Sequence, residues 1–217
     1  MRIRGNDKIA DYLEQGAAIL HLSPQPIPLE LAAQFTERRL EIGCGKGAFL
    51  AQISTLHPDV LFVGIDKFVP IVARAAAQAA KRELINVRIY KADISSAPEF
   101  LPARYFSVIY LNFSDPWPKR RQEKHRLTHP RLLALYERLL TRGGTLEFKT
   151  DNAEFFAWSL RSLEKSGWQM LEVDENVAAE APPGREVEGK FVQTEYETRF
   201  RGLGQAIFYI RAEPPQA

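Results

Sequence analysis

The sequence predicts an α/β fold with a mostly parallel sheet and helices on both of its faces. Short apolar runs alternate regularly with helical patterns between about residue 39 and residue 166. The runs are rich in Val, Ile, Leu and Phe, and they lack the polar alternation of a strand with one wet face. Repeated strand–helix units with strands that are apolar on both sides are typical of a parallel sheet covered by helices.

The predicted elements follow one another with short connections. Strands are predicted at residues 39–43, 60–66, 87–91, 105–112 and 145–150, and helices at residues 47–56, 69–82, 130–140 and 152–166. Residues 168–173 and 205–211 form two more strand patterns with no helical pattern between them, which indicates an antiparallel hairpin at the sheet edge. Residues 178–192 are predicted to be a long loop, and we interpret it as a candidate lid.

The length of the chain favours one main domain. With 217 residues and 45% hydrophobic content, the chain can form one sizeable core and a small appendage. Helical patterns on either side of a proline-punctuated loop predict an N-terminal helical extension over residues 1–36. The main domain is predicted over residues 37–217.

Composition excludes several classes of protein. A net charge of +2 means that a polyanionic partner would be held by a local patch rather than by the whole surface. The single cysteine, Cys44, excludes a disulfide framework within the chain and favours a reducing compartment. No apolar run approaches the roughly 18 residues that span a bilayer, so we expect a cytoplasmic protein without membrane contact. The four histidines have no metal-ligand spacing, and we predict no metal site.

A glycine-rich turn after the first predicted strand indicates a nucleotide-type ligand. Gly43, Gly45 and Gly47 allow a tight turn and a close approach of ligand to main chain. Asp66 ends the second strand, at the distance along the chain where α/β folds accept ribose hydroxyls. Asp93 follows the third strand. The carboxyl ends of parallel strands meet at one edge, so these residues are expected to line a cofactor site.

The ligand is predicted to be cationic. Glu41, inside the first strand, would repel a pyrophosphate and attract a positive charge. A sulfonium cofactor with a ribose and an adenine therefore fits better than a dinucleotide. Gly43, Gly45 and Ala48 also satisfy the loose dinucleotide pattern, which leaves an NAD(P)-dependent oxidoreductase open as an alternative.

The fourth predicted strand runs into an unusual segment, Asn112-Phe113-Ser114-Asp115-Pro116-Trp117-Pro118. The two prolines stiffen the turn and can hold Asp115 at a defined angle. A basic run follows directly, and next to a cofactor site it indicates binding to a phosphate backbone. The predicted RNA patch consists of Lys119, Arg120, Arg121, Lys124, His125 and Arg126.

These motifs, with three others, carry a family resemblance. The segments are Glu41 to Gly47, Gly64-Ile65-Asp66, Leu111 to Lys119, His125-Arg126-Leu127, Lys149-Thr150-Asp151-Asn152 and Thr194-Glu195-Tyr196-Glu197. Together they resemble the bacterial tRNA (guanine-N7)-methyltransferases over roughly residues 38–211. The Asn-Phe-Ser-Asp-Pro-Trp-Pro-Lys segment is highly specific to that family. The resemblance implies a class I methyltransferase fold, a Rossmann-like sandwich whose seven-stranded sheet has a reversed edge strand.

The resemblance also implies the role of individual residues. Contacts to S-adenosylmethionine fall on Glu41, Asp66, Asp93 and Asp115. Contacts to the substrate fall on Lys119, Asp151, Thr194, Glu195, Tyr196 and Glu197. Asp115 is the predicted catalytic residue, as an orienting acceptor rather than an obligatory general base, and Asp151 or Glu197 is expected to distinguish guanine from adenine.

The expected reaction is methyl transfer from S-adenosylmethionine to N7 of a guanine in tRNA, which forms 7-methylguanosine. The resemblance implies the guanine of the variable loop. Besides the oxidoreductase, a non-catalytic RNA-binding module on the same fold stays open as an alternative. The oligomeric state is left open between monomer and homodimer.

Overall fold

The computed structural model describes residues 6–177 and 188–215 of the chain. The chain divides into two compact units, Met1–Pro102 and Ala103–Ala217. Most of the predicted lid, residues 178–187, lies outside the described residues. Among those residues, no helix combines the length and apolar character that crossing a bilayer requires.

The described part of the first unit contains four strands and four α-helices. The strands are β1 (Leu20–His21), β2 (Glu37–Ile42), β3 (Val60–Asp66) and β4 (Val87–Lys91), and the helices are α1 (Asn6–Gln15), α2 (Leu29–Ala32), α3 (Ala48–Leu56) and α4 (Val69–Lys81). The strands are parallel and lie in the order β1-β4-β3-β2. β3 is buried along nearly its whole length, which confirms the prediction of a strand that is apolar on both sides.

The N-terminal residues pack closely within this unit. α1 contacts α4, and β1 pairs with β4. A Cβ at Gly16 would lie 2.5 Å from the Cβ of Ala76, so the end of α1 approaches α4 at a distance that only glycine allows. The predicted extension therefore shares a core with the first unit, while the domain boundary at residue 36 stays a prediction.

In the second unit, residues 103–177 and 188–215 contain four strands and three α-helices. The strands are β5 (Phe106–Asn112), β6 (Leu140–Thr150), β7 (Gln169–Asp174) and β8 (Phe208–Glu213), and the helices are α5 (Pro130–Leu139), α6 (Ala153–Lys165) and α7 (Glu195–Arg201). β5 and β6 are parallel, and β8 runs antiparallel to both β6 and β7, in the order β5-β6-β8-β7. The last strand of the chain is therefore reversed, as expected.

Two details of the fold differ from the prediction. The described residues contain eight strands rather than seven, because the two-residue β1 has too little pattern to be recognised. β7 and β8 pair antiparallel, but they do not form a simple hairpin. A 3₁₀ helix, Gly189–Phe191, and α7 lie between them, where no helix was predicted. Both elements are too short for an apolar periodicity to show in the sequence.

Candidate active site

The glycine turn between β2 and α3 adopts the geometry that its sequence predicts. Gly43, Gly45 and Gly47 have φ values of 76°, 54° and 78°, in the left-handed region that favours glycine. A Cβ at Gly47 would lie 2.9 Å from the Cβ of Ala75, because the turn passes close to α4. Among the described residues, no atom lies within 4 Å of the position that a Cβ at Gly45 would take. The main chain at Gly45 can therefore be approached by a ligand.

Asp66 lies at the end of β3 and holds the glycine turn. Its Oδ2 accepts a hydrogen bond from the main-chain N–H of Gly45 at 3.2 Å, and its Oδ1 accepts one from Phe68 N at 3.3 Å. A carboxylate has about four lone-pair sites, so Asp66 can still accept hydrogen bonds from two ribose hydroxyls. The same side chain can thus order the turn and bind a ligand.

The acids of the first unit make the glycine turn electronegative. Glu41 is buried on β2, at 2% exposure. Burial raises the pKa of the Cys44 thiol, and the carboxylates of Glu41 and Asp66 raise it further. Because both carboxylates act on one side chain of the turn, a cation would be attracted there. Cys44 itself is buried and stays protonated, which excludes it as a nucleophile.

Asp93 is predicted to contact the cofactor, and in the structure it also makes a hydrogen bond and an ion pair within the first unit. It caps the 3₁₀ helix Ile94–Glu99, and its Oδ1 accepts from Ser95 N at 2.9 Å. Its Oδ2 lies 2.8 Å from Lys67 Nζ. Burial opposes ionisation of this carboxyl, but the hydrogen bonds from Lys67 and Ser95 outweigh it and lower its pKa to about 2. Lys67 therefore neutralises part of the negative charge that the sequence assigns to this edge.

The first unit as a whole fits S-adenosylmethionine. Asp66 supplies acceptors for a ribose, the turn at Gly45 is open, and Glu41 and Asp66 supply the negative charge that a sulfonium ligand requires. The cofactor contacts that we predict for Glu41, Gly43, Gly45, Gly47, Asp66 and Asp93 all stay predictions.

In the second unit, the turn after β5 has a strained main chain. Phe113 and Trp117 have φ values of 51° and 44°, which residues other than glycine seldom adopt. Phe113 N donates to Lys149 O on β6 at 2.9 Å, so the turn is tied to the next strand. Asp115 lies between the two strained residues and is exposed. Such a conformation persists only where surrounding contacts hold it.

Tyr196 lies close to two other predicted site residues of this unit, Asp151 and Asp115. Its hydroxyl donates to Asp151 Oδ2 at 3.4 Å, and its ring centroid lies 5.1 Å from that of Phe113. Burial raises the pKa of Tyr196, and the carboxylates of Asp151 and Asp115 raise it further. Asp115, Asp151 and Tyr196, which lie on three separate segments of the sequence, therefore share one region of the fold.

Thr194 and Glu197 have structural contacts. The Thr194 hydroxyl accepts from Glu197 N at 2.9 Å and caps α7, whose first residue is Glu195. Glu197 is fully buried. Its Oε2 accepts from Lys149 Nζ at 2.9 Å, and its Oε1 accepts from Arg201 Nη2 at 2.6 Å. Glu197 thus anchors α7, and this leaves Asp151 as the accessible carboxylate of the pair that was expected to distinguish guanine.

The predicted RNA patch is exposed with one exception. Its exposed members are Lys119, Arg120, Arg121, Lys124 and His125. Arg126 is buried at 7% exposure, so it does not belong to this surface. Its guanidinium donates to the main-chain carbonyls of Pro116 and Trp117 instead.

Comparison with known proteins identifies the family. A family model described as “Putative methyltransferase” matches residues 36–210. The chain is 40% identical to the tRNA (guanine-N(7)-)-methyltransferase of Geobacillus thermodenitrificans (strain NG80-2), with 100% of this chain and 99% of the relative covered. It is 35% identical to the protein of the same name from Mycoplasmopsis pulmonis (strain UAB CTIP), with 97% of each covered. The chain belongs to the tRNA (guanine-N7)-methyltransferase family.

Solved structures agree with the fold of this family. An antibiotic-related methyltransferase is similar with a TM-score of 0.63 and 18% identity, covering 86% of this chain and 92% of the other. A 16S rRNA (adenine(1408)-N(1))-methyltransferase from Catenulisporales acidiphilia, with the cosubstrate SAM, has a TM-score of 0.61 and 16% identity, covering 87% and 90%. These similarities confirm the α/β class I methyltransferase fold. They give no support to the oxidoreductase or to the non-catalytic binding module.

Sequence reasoning missed the contacts of two lysines that anchor α7 and the 3₁₀ helix Gly189–Phe191. Lys149, buried on β6, binds Glu197 and the carbonyl of Val192, and Lys190 binds Glu172 and Asp174. The Lys-Thr-Asp-Asn motif includes Lys149, but a lysine in a strand pattern gives no sign of its distant partner. Among the described residues, no group of three or more His, Cys, Asp or Glu side chains is arranged to hold a metal ion.

Proposed function

We propose that the protein transfers a methyl group from S-adenosylmethionine to N7 of guanine in tRNA and forms 7-methylguanosine, with the variable-loop guanine as its target. The observation that carries this proposal is the convergence of Asp115 and Asp151 on Tyr196, in a chain of the tRNA (guanine-N7)-methyltransferase family. The exposed cationic run Lys119 to His125 supports tRNA as the substrate. A tRNA-modifying role favours the cytoplasm as its location.

The first unit binds the cofactor in this proposal. S-adenosylmethionine, when bound, supplies an electrophilic methyl group. Asp66 accepts the ribose hydroxyls while it keeps the glycine turn in place through Gly45. Glu41 adds the negative charge that favours a cationic ligand over a pyrophosphate. The roles of Asp93 and of the other turn glycines rest on their positions at the strand ends and on the family resemblance.

The second unit binds the guanine. Guanine presents N1–H and an exocyclic amino group as donors, whereas adenine has an acceptor at N1. Asp151 is half-buried and can accept from both donors, and the hydroxyl of Tyr196 orients its carboxylate. Glu197 stabilises this arrangement, because its ion pairs with Lys149 and Arg201 anchor the helix that carries Tyr196.

Asp115 orients the reacting groups and does not remove a proton. Guanine N7 is an acceptor with an in-plane lone pair, so its methylation requires no base. The barrier falls chiefly through alignment of the nucleophile with the methyl group, which can contribute several kcal/mol. The stiff turn from Asp115 to Pro118 is suited to that task.

Two isosteric variants test these roles. Asp115→Asn is expected to remove methyl incorporation while tRNA affinity stays near the wild-type value. Asp151→Asn places an amide opposite the guanine donors and should lower kcat/KM by roughly 100-fold. The matched control is Asp11→Asn on α1, an exposed acid, whose kinetics should match those of the wild type. The assay is transfer of labelled methyl groups to an unmodified tRNA transcript.

Wild-type kcat/KM in Asp151→Asn would contradict the guanine-binding role. Calorimetric titration with S-adenosylmethionine and with NADH addresses the cofactor separately. We expect binding of the first only, and NADH binding without S-adenosylmethionine binding would contradict the proposed reaction. Cofactor and tRNA binding without turnover would instead favour the non-catalytic module.

A further inference from the structure

Arg126 differs from the other cations of its run in its surroundings. It directly follows the 3₁₀ helix Arg120–His125, whose Arg120, Arg121 and Lys124 side chains are exposed. The Arg126 side chain is only 9% exposed. A guanidinium that is buried to this degree is not accessible to a phosphate group of a nucleic acid. Its charge therefore has a different role from that of its neighbours.

The guanidinium of Arg126 holds the turn that carries Asp115. Its Nε donates to Pro116 O at 2.9 Å, and its Nη2 donates to Trp117 O at 3.0 Å. The planar guanidinium presents its donors at fixed angles, so the two carbonyls are fixed relative to each other. Trp117 has a φ of 44°, and its strain requires such an external constraint.

The opposite side of Arg126 rests on α6. Its central carbon lies 4.5 Å from the ring centroid of Trp158 and 5.8 Å from that of Phe155. Glu123 balances the charge, with its Oε1 at 3.6 Å from Nη1. α6 starts at Ala153, two residues after Asp151, and Asn152 caps it by accepting a hydrogen bond from Phe155 N at 2.8 Å. Arg126 thus connects the turn of Asp115 to the helix that follows Asp151.

We propose that Arg126 is a positioning residue, which fixes the Asp115–Pro118 turn against α6 and does not bind tRNA. The inference rests on the proposed function, because it assigns Arg126 to the geometry of that reaction. A lysine at this position keeps the charge, but its single ammonium cannot reproduce the two-carbonyl contact. The chemistry of methyl transfer, and not tRNA affinity, should therefore depend on the guanidinium.

The kinetic test compares Arg126 with an exposed cation of the same run. Arg126→Lys is expected to lower kcat by about 10- to 100-fold, with an unchanged dissociation constant for tRNA. Arg126→Gln should leave the salt dependence of tRNA binding unchanged. The matched variant Arg121→Gln should weaken tRNA binding and reduce the slope of log K against log salt by about 1.

Limited proteolysis provides a measurement that does not depend on turnover. Trypsin can cleave after Lys119, Arg120 and Arg121, so release of the turn should increase cleavage there several-fold in Arg126→Lys. Trp158→Leu, which removes the ring behind the guanidinium, is a second variant and should act in the same direction. Melting temperatures establish that the variants are folded.

Wild-type kcat and cleavage rate in both Arg126→Lys and Trp158→Leu would overturn the inference. A salt slope that falls in Arg126→Gln as much as in Arg121→Gln would overturn it as well. If the wild-type protein does not methylate tRNA, the proposed function fails, and the cleavage rates still decide whether Arg126 holds the turn.

Discussion

Glu147 is a residue whose chemistry is set by burial. It lies on β6 opposite Arg211 of β8 and is 7% exposed. Burial raises its pKa from 4.5 to about 7, although the charge of Arg211 acts in the opposite direction. Burial and the Glu147 carboxylate also raise the pKa of Tyr209. The folded protein therefore holds a proton at Glu147 that the unfolded chain releases.

We expect the free energy of unfolding to depend on pH because of this proton on Glu147. Between pH 4.5 and about 7 the folded state binds more protons at Glu147 than the unfolded state. Its contribution is fully present below pH 4.5 and is lost as the pH rises through about 7, by on the order of 3 kcal/mol. Urea denaturation of the wild type and of Glu147→Gln at several pH values measures the difference. Parallel curves for the two proteins would contradict the shifted pKa.

The exposure of individual side chains in the basic run could not be predicted from the sequence. Lys124 and Arg126 are two positions apart in one basic run, yet Lys124 is exposed and Arg126 is buried. The carbonyls that bind Arg126 lie nine and ten residues away, in a turn whose shape the sequence does not specify. By contrast, the glycines and Asp66 were predictable, because main-chain freedom and strand-end acids are properties of the local sequence.

Ion pairs hold two described elements between β7 and β8 in place, the 3₁₀ helix Gly189–Phe191 and α7. Lys190 lies 2.6 Å from Glu172 and 2.8 Å from Asp174 on β7. Burial opposes the charge of Lys190, but these two carboxylates outweigh it and raise its pKa. Lys149 on β6 binds Glu197 of α7, and removal of one partner of such a pair is strongly destabilising. The position of Tyr196 on α7 therefore depends on the ion pair between Glu197 and Lys149.

Close packing at Gly189 allows a test of this segment. A Cβ at Gly189 would lie 2.5 Å from Tyr110 Cε1 and 3.0 Å from Glu147 Oε2. Gly189→Ala should therefore lower the free energy of unfolding by about 1–3 kcal/mol. Gly202→Ala is the matched control, since its Cβ would lie 3.4 Å from the nearest atom and its φ of −61° suits alanine. Denaturant unfolding measures both variants, and equal effects would contradict the packing argument.

The bounds of strands and helices were predicted best where the apolar pattern in the sequence was long. β3 and β4 have the bounds that the sequence predicts, and α4 and α6 differ from it by one residue at one or both ends. α7 was missed, although Thr194-x-x-Glu197 matches the Thr-x-x-Glu pattern that marks a helix start. The Thr194 hydroxyl accepts from Glu197 N, but the Glu197 side chain binds Lys149, which lies 48 residues earlier in the sequence.

At the scale of the whole molecule, the two units divide the proposed task. The first unit combines an open glycine turn with the carboxylates of Glu41 and Asp66, which suits a cationic nucleoside cofactor. The second unit combines Asp115 and Asp151 with an exposed cationic run, which suits a guanine within an RNA. The net charge of +2 is small, so the local run and not the total charge must attract the nucleic acid.

Mass mapping of the methylated nucleoside tests the central claim most directly. The wild-type protein is incubated with S-adenosylmethionine and an unmodified tRNA transcript, and a parallel transcript contains 7-deazaguanosine, which lacks N7. We predict 7-methylguanosine in the variable loop of the first transcript and no methylation of the second. A methyl group on another atom or base, or methylation of the 7-deazaguanosine transcript, would contradict the proposed function.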